Sequence, residues 1–481
     1  MITRREFNAG LIASVAALPF ASVAGEQKAK GDGPPLDVLV IGAGLSGLHS
    51  ALMLEELGAR VQVIEARKRI GGRLYTLFDR PGYPEVGGNA CAAGYGRVLN
   101  RIREMGLPLY DASTRSPKNP GFELALGSRI LQRDEWAKSS LNPFPQDSRS
   151  QMPWEFSGAF MAANNPLKTS EDWLAESSAP LDVSLRDWLV SRGVNEATVE
   201  RCWSTNPYFG TTAHDVSALL CLMNASWSKA ITGGSRSMLS VQGGNQKLPL
   251  AMAGKLKNEV HLGKDVAAIR DDGSIVEVTC RDGSRYRAKS VVCSIPFSVL
   301  RHIAFEPGLT GPQAEAVNTL PYMMNTLVFF VPKRKFWEDD GLRPSMWTDG
   351  VAGSIMAQRF GSDAEEVTAI VANPRGKNAI WLDRLPPKDA IRYVQAEIER
   401  LRPAAKGALV DGAIHSWDRD PFAAGDWAVL APGQVRRFKT SMANAHGRVH
   451  FCGEHTALTN RGMEGAMESA ERVTLEIGEI L

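Results

Sequence analysis

An uncharged apolar run from Ala9 to Ala24 opens the chain, and a polar stretch with Gly and Pro follows it to Pro35. Beyond that, short apolar runs alternate with segments of helical period. Asp37-Val38-Leu39-Val40-Ile41 is apolar and β-branched, which predicts a strand buried on both faces. Leu48, Ala51, Leu52, Leu54 and Leu57 recur at helical spacing, and Gly58 suits the helix end. Arg60 to Ile64 predicts a second strand, which ends in Glu65. Val260-His261-Leu262, Ile275 to Cys280 and Val291-Val292 also have strand composition, with Asp282-Gly283 as a hairpin turn. Near the end, Arg448 to Cys452 alternates like a strand, and Met463, Ala466, Met467 and Ala470 return to helical spacing. Leu174 to Arg192 and Asp389 to Leu401 have helix-like spacing too. Asn142 to Pro166, rich in Pro, Ser, Asn and aromatics, predicts a loop that covers a site. Strand–helix–strand at the start and strand–turn–helix at the end predict an α/β fold.

The 481 residues are 44% hydrophobic and 22% charged, enough for two or three domains with a large core and incompatible with wholesale disorder. A net charge of +2, with no run of five like charges, argues against nucleic acid as a partner. The six Cys form no CxxC pair and the eight His no HxxxH pair, so neither a metal centre nor a dense disulfide framework is expected.

Thr3-Arg4-Arg5-Glu6-Phe7, the apolar run and the small residues Ser22-Val23-Ala24 together predict a twin-arginine signal peptide over 1–24, cleaved after Ala24, with a linker over 25–36. A disordered start with a chance Arg pair is the alternative. The run is shorter than the ~20 residues of a spanning helix, and Pro19 opposes a long anchor. Export by the twin-arginine translocase implies a periplasmic, soluble mature protein. That route carries folded proteins, so a cofactor is expected before any cofactor motif is considered.

Gly42-Ala43-Gly44-Leu45-Ser46-Gly47 lies between the first strand and its helix. This is the layout a dinucleotide needs. Gly42 permits the tight turn, Gly44 lets backbone approach a pyrophosphate, and Gly47 lets helix and strand pack closely. The helix N-terminus offers unpaired N–H groups from Leu45 and Ser46 to phosphate, and Glu65 is placed to accept from an adenosine ribose. Glu65-Ala66-Arg67 then leads to Gly71-Gly72-Arg73, a second Gly-Gly-Arg that an extended FAD uses and a nicotinamide cofactor does not. Glu85-Val86-Gly87-Gly88-Asn89 is either a third close approach or a glycine-rich turn. Gly453-Glu454-His455-Thr456 with Arg461 to Ser469 forms a strand–turn–helix whose Gly465 and Ala466 would let a helix touch a flat ring.

Ile41 to Arg73, Glu85 to Asn89 and Gly453 to Ser469 together resemble the FAD-dependent amine oxidase family. Gln242 to Asn245, Val291 to Pro296 and Asp420 to Trp427 extend the resemblance, which runs from about residue 37 to the end. With the export signal, the chain looks most similar to periplasmic nicotine-type amine oxidoreductases. The resemblance implies a Rossmann-like FAD domain assembled from 37–110, 240–310 and 410–481. A mixed sheet-plus-helix substrate domain is implied over 111–239 and 311–409. It implies cofactor contacts at Gly42, Gly44, Leu45, Ser46, Gly47, Glu65, Ala66, Arg67, Gly72, Arg73, Gly87, Gly88, Asn89, Gly453, Glu454, Met463 and Ala466. Val266 would meet adenine through its backbone.

Members of that family move a hydride equivalent from the carbon beside an amine nitrogen to flavin N5, and the imine is then hydrolysed. Many flank the amine with two aromatic rings. Trp427 matches the first, with a buried core Trp as the alternative, and Gly462 falls where the second would be, leaving room for a bulkier or secondary amine. Many also carry a lysine at flavin N5; Asn325 falls there, with Lys333 and Lys335 as competitors beyond the strand. Asp426 stands where some members link flavin through Cys, so FAD is expected to be noncovalent. Tyr208, Trp227, Tyr322, Trp347 and Trp381 are further pocket candidates, with core or rim positions as the default. Arg97 and Arg461 could meet a carboxylate or phosphate, and His455 is expected to position backbone or FAD. The expected function is oxidation of a small-molecule amine, with electrons passed to a periplasmic carrier such as cytochrome c, or to O2. A flavin dehydrogenase or desaturase of a non-amine substrate and a non-catalytic FAD-binding protein are the alternatives.

Overall fold

The computed structural model describes residues 34–481, except 116–120, 234 and 236. The expected export signal and most of the expected linker lie outside the described residues. No helix among the described residues is long and apolar enough to cross a membrane.

Strand β1 (Leu36–Ile41), helix α1 (Leu45–Glu56) and strand β2 (Val61–Glu65) open an eight-stranded sheet. β1 is paired in parallel with β2 on one side and with Arg285–Cys293 on the other. Val38, Leu39 and Val40 have no exposed surface, as their apolar composition requires of a strand covered on both faces. Arg285–Cys293 is long enough to change partners along one edge. Its first half pairs antiparallel with Val276–Cys280, its second half in parallel with Val449–Phe451. The Asp282-Gly283 turn joins that hairpin, with Gly283 at φ +83°. Parallel register places Ile41, Glu65, Cys293 and Phe451 at one end of the sheet, the end where open α/β sheets bind ligands. Gly462–Gly478 forms the last helix, and its Met467, Val473 and Ile477 share a core with Leu48 and Leu52 of α1.

A second, seven-stranded sheet runs in the order Leu409–Ser416, Thr326–Pro332, Ala369–Asn373, Ser354–Gln358, Met346–Thr348, Glu123–Leu126, Arg129–Leu131. The helix Pro387–Leu401, anticipated over 389–401, packs Ala390, Val394 and Ile398 against it. The strand Leu409–Ser416 belongs to this sheet, through antiparallel pairing with Thr326–Pro332, so the segment beginning at 410 divides between the two sheets.

Two local expectations are corrected. Residues 142–166 are not a loop over a site: Pro153–Asn164 is an α-helix, with Pro153 at its first turn and Glu155 Oε2 accepting from Met152 N at 3.0 Å. Its Phe156 and Phe160, one helical turn apart, pack on Phe144, Trp188 and Trp203. Residues 174–192 are not one helix either. Pro180 lies in a 3-10 turn, and only Leu185–Ser191 is α-helical, started afresh by Ser184, whose hydroxyl accepts from Asp187 N.

Candidate active site

A cavity of about 480 Å³ opens at the shared C-terminal end of the parallel strands. Gly42, Gly44, Leu45, Ser46, Glu65, Ala66, Arg67, Gly72, Arg73, Gly87, Gly88, Asn89 and Val266 line it. So do Asn325, Asp426, Trp427, Gly453, Glu454, Gly462, Met463 and Ala466. Of the cofactor contacts that the family resemblance implies, taken with Trp427, Asn325 and Gly462, Gly47 alone is absent from this wall, and it lies directly behind it. A Cβ built on Gly47 would stand 2.0 Å from Gly42 O, and one on Gly42 would stand 2.3 Å from Ser294 Oγ. Gly72, at φ +57°, is so close to the first turn that its Cβ would stand 3.3 Å from Gly44 Cα.

Two long helices present their N-termini here. α1 begins after Gly44 and the last helix after Arg461, and neither has a side-chain cap, so the first N–H groups of both are available to an anionic or oxygen-rich ligand. Glu65 is buried, with Oε2 accepting from Ala43 N at 2.9 Å and Oε1 from Arg67 N at 2.8 Å. These bonds fix the carboxylate at the cavity wall and leave lone pairs for a ribose hydroxyl. Arg67 itself pairs with Asp420 at 2.7 Å. Arg73 donates to Asp426 O and lies 3.6 Å from Glu454, which also pairs with Arg461 at 2.9 Å. Arg461 and Arg97 are thus held by their own carboxylates, Arg97 by Glu464 and Glu471.

The other end of the cavity is built by pairing between distant segments. Met323 N donates to Trp427 O and Asp426 N to Met323 O, both at 2.9 Å, which sets Asp426 and Trp427 beside Asn325. Asn325 Nδ2 donates to Asp426 Oδ2 at 2.6 Å, while its Oδ1 is buried without a partner. Desolvation pushes the Asp426 carboxyl up, opposed by the Asn325 bond. Asn325 lines the cavity; Lys333 and Lys335, beyond the end of Thr326–Pro332, do not.

On the other side of Asn325, Thr326 N donates to Pro374 O and Gly376 N to Met324 O, so Arg375 is bridged to Asn325. Arg375 is the principal residue that sequence analysis missed. Its signal was only a charged residue between Pro374 and Gly376 after an apolar strand. Its guanidinium lies 5.5 Å from the ring centres of both Tyr208 and Trp427, which are 5.2 Å apart and tilted by 31°. Tyr208 lines the cavity with 56% of its surface accessible, and desolvation pushes its hydroxyl up. The partner of Trp427 is therefore Tyr208, in contact with it rather than across a gap. At Gly462 a Cβ would meet only Tyr95 Oη, at 3.7 Å. Of the other aromatic candidates, Trp227 bonds Asn460 outside the wall, and Tyr322 is buried, its hydroxyl accepting from Phe297 N. Trp347 joins an aromatic core and Trp381 is exposed.

His455 does not line the cavity. It packs edge-on to Phe297, and burial pushes it down to about 3, so it is neutral and structural. Glu85, behind the glycines it precedes, accepts from Thr76 Oγ1 at 2.8 Å and Asn245 N at 2.6 Å, and burial raises it to about 8 from 4.5. A carboxyl raised on folding contributes stability that is full below its unfolded value and lost as pH rises to its folded one. Between about pH 4.5 and 8 the wild type should therefore lose a few degrees in Tm, and Glu85→Gln should flatten that part of the profile. Equal slopes in thermal melts of the two proteins would remove Glu85 as the cause.

The cradle suits a flavin dinucleotide: two uncapped helix starts, glycines where any side chain would collide, an acid at the end of β2, and an unpartnered Asn325 oxygen at the far wall. The family described as flavin containing amine oxidoreductase matches this chain over residues 45–477. The chain belongs to that family. Among its relatives is YobN of Bacillus subtilis (strain 168), provisionally named an L-amino-acid oxidase, at 27% identity across 93% of this chain and 95% of its own. Flavin-containing amine oxidase B of Cavia porcellus is 26% identical across 92% and 86%. Cyclohexylamine oxidase from Brevibacterium oxydans IH-35A shares the fold, with a TM-score of 0.76 at 21% identity over 93% of this chain and 99% of its own. Membership of the flavin amine oxidoreductases makes this an oxidoreductase of α/β fold with a flavin site.

Proposed function

We propose that this flavin amine oxidoreductase oxidises the C–N bond of a small-molecule amine to an imine, with FAD held noncovalently. The observation that carries this is the joining, in one cavity, of the glycine cradle to a desolvated wall of Trp427, Tyr208 and Asn325. When bound, FAD supplies a two-electron hydride acceptor. The protein's part is to hold the amine with its α-carbon in the cavity, to exclude water, and to favour the neutral amine. Arg375 supports the last of these, because a guanidinium beside Trp427 disfavours an ammonium there. The amine lone pair becomes the π bond of the imine as the C–H bond breaks; water then adds to the imine carbon and the nitrogen leaves. His455 does not reach the reacting atoms, since it does not line the cavity.

Neither cysteine nor histidine is among the described residues that line the cavity, and Asp426, which the family resemblance sets where some members carry the linking Cys, is one of them. This supports noncovalent binding. We propose further that the protein is exported by the twin-arginine translocase and works in the periplasm, where a carrier such as cytochrome c, or O2, takes the electrons. The segments 37–110, 240–310 and 410–481 would hold the cofactor, and 111–239 and 311–409 the substrate.

An amine should bleach the yellow flavin under anaerobic conditions, and acid precipitation should release the flavin into the supernatant. A panel of primary, secondary and carboxylated amines that leaves the absorbance unchanged would refute amine oxidation. Colour retained in the pellet would refute noncovalent binding.

A further inference from the structure

Arg375 holds a charge that the protein leaves unanswered. Its guanidinium makes no ion pair with any described residue, and its Nε is buried without a partner. Its flanking backbone is fixed on both sides by bonds to Met324 and Thr326, so the side chain is held in the cavity wall. Asp426 is the carboxylate whose charge is felt there, but its Oδ2 already accepts from Asn325 and burial favours its protonated form. The faces of Tyr208 and Trp427 give partial compensation. A desolvated cation without a hydrogen-bonded anion is costly, and a planar guanidinium fork matches a carboxylate through two parallel N–H···O bonds.

We infer that the substrate carries a carboxylate beside its amine, and that Arg375 is the residue that binds it. This rests on the reading of the cavity as an amine-oxidation site. It also accounts for the contact between Tyr208 and Trp427. The two rings touch, 5.2 Å apart and tilted by 31°, so they leave no slot between them, and an apolar side chain can lie beside the pair while its carboxylate meets Arg375. Gly462, with no side chain opposite, leaves space for the rest of the substrate.

The test uses the FAD-loaded protein and benzoate, with benzyl alcohol as the uncharged counterpart, following perturbation of the visible flavin spectrum. Benzoate should bind saturably. Arg375→Met should weaken it by about 10- to 100-fold, the value of a charge-assisted pair, and leave benzyl alcohol unchanged. Arg375→Lys should recover part of the loss. In anaerobic bleaching, phenylalanine should outpace phenethylamine, and Arg375→Met should remove that preference. Benzoate binding that is absent, or equal in wild type and Arg375→Met, overturns the inference. So does a phenethylamine rate that matches phenylalanine in both proteins. If benzoate binding depends on Arg375 but no amine of either kind bleaches the flavin, the carboxylate site stands and the amine-oxidation reading fails.

Discussion

Gly47→Ala should yield protein that folds but purifies with little or no flavin. The added methyl would stand 2.0 Å from the Gly42 carbonyl oxygen, a backbone atom that cannot swing aside. Relief requires α1 to move away from the β1 end, which carries the N–H groups after Gly44 out of register with the cavity. Overpacking costs roughly 1–3 kcal/mol or more, which is about 10- to 100-fold in FAD affinity if it falls on the bound state. The ratio of visible to ultraviolet absorbance measures occupancy. Gly96→Ala is the control, since a Cβ there meets nothing within 4 Å. Full flavin content in Gly47→Ala, with unchanged affinity, would show that the turn does not govern cofactor binding.

The second large effect concerns the electron acceptor. Substrate-reduced protein should be reoxidised faster by oxidised cytochrome c than by oxygen in air-saturated buffer. Reduction of oxygen benefits from a fixed positive charge where superoxide develops. Asn325 provides none, and a carboxylate product on Arg375 would neutralise the cation beside it. The geometry changes what a lysine at this position would do. Asp426 Oδ2 lies 2.6 Å from Asn325 Nδ2, so the ammonium introduced by Asn325→Lys would form an ion pair and add no net charge. Asn325→Lys alone should therefore raise the oxygen rate little, whereas Asn325→Lys with Asp426→Asn should raise it on the order of 10-fold or more. Stopped-flow reoxidation distinguishes these. Oxygen reaction as fast as turnover, with no response to cytochrome c, would make oxygen the acceptor.

The glycine cradle of the cavity was legible because its determinants are local. Gly42, Gly44 and Gly47 sit within one strand–turn–helix; Gly42 turns at φ +104° and a Cβ on Gly47 would stand 2.0 Å from Gly42 O, so the constraint is written in that short segment. The wall around Asn325 was not. Arg375 and Trp427 reach Asn325 only through pairings of segments far apart in the chain, Asn325 with Arg375 and Tyr322 with Ala428. Composition misled at 142–166, where Pro and Ser suggested a loop. Pro153 instead occupies a helix start that needs no N–H, and the aromatic residues that gave the stretch its character became its core face. At 174–192 the apolar spacing was present, but Pro180 and the Ser184 cap divided it.

The partner change along Arg285–Cys293 has a consequence for how this molecule is made. Its second half stays without a neighbour on that edge until Val449–Phe451 is added, and α1, from the first part of the chain, finds its packing partner in the last helix. A ribosome emits these pieces in order, so the nucleotide cradle lacks a wall until Val449–Phe451 and Gly462–Gly478 have been made. Closure between α1 and the last helix must then be met in a late step, at the entropic cost of a very long loop. Cofactor capture thus reports that the chain has been made from the first glycine motif through to the last helix: a chain cut short before Val449 has every glycine of the first motif and lacks the wall of Gly453, Glu454, Gly462, Met463 and Ala466.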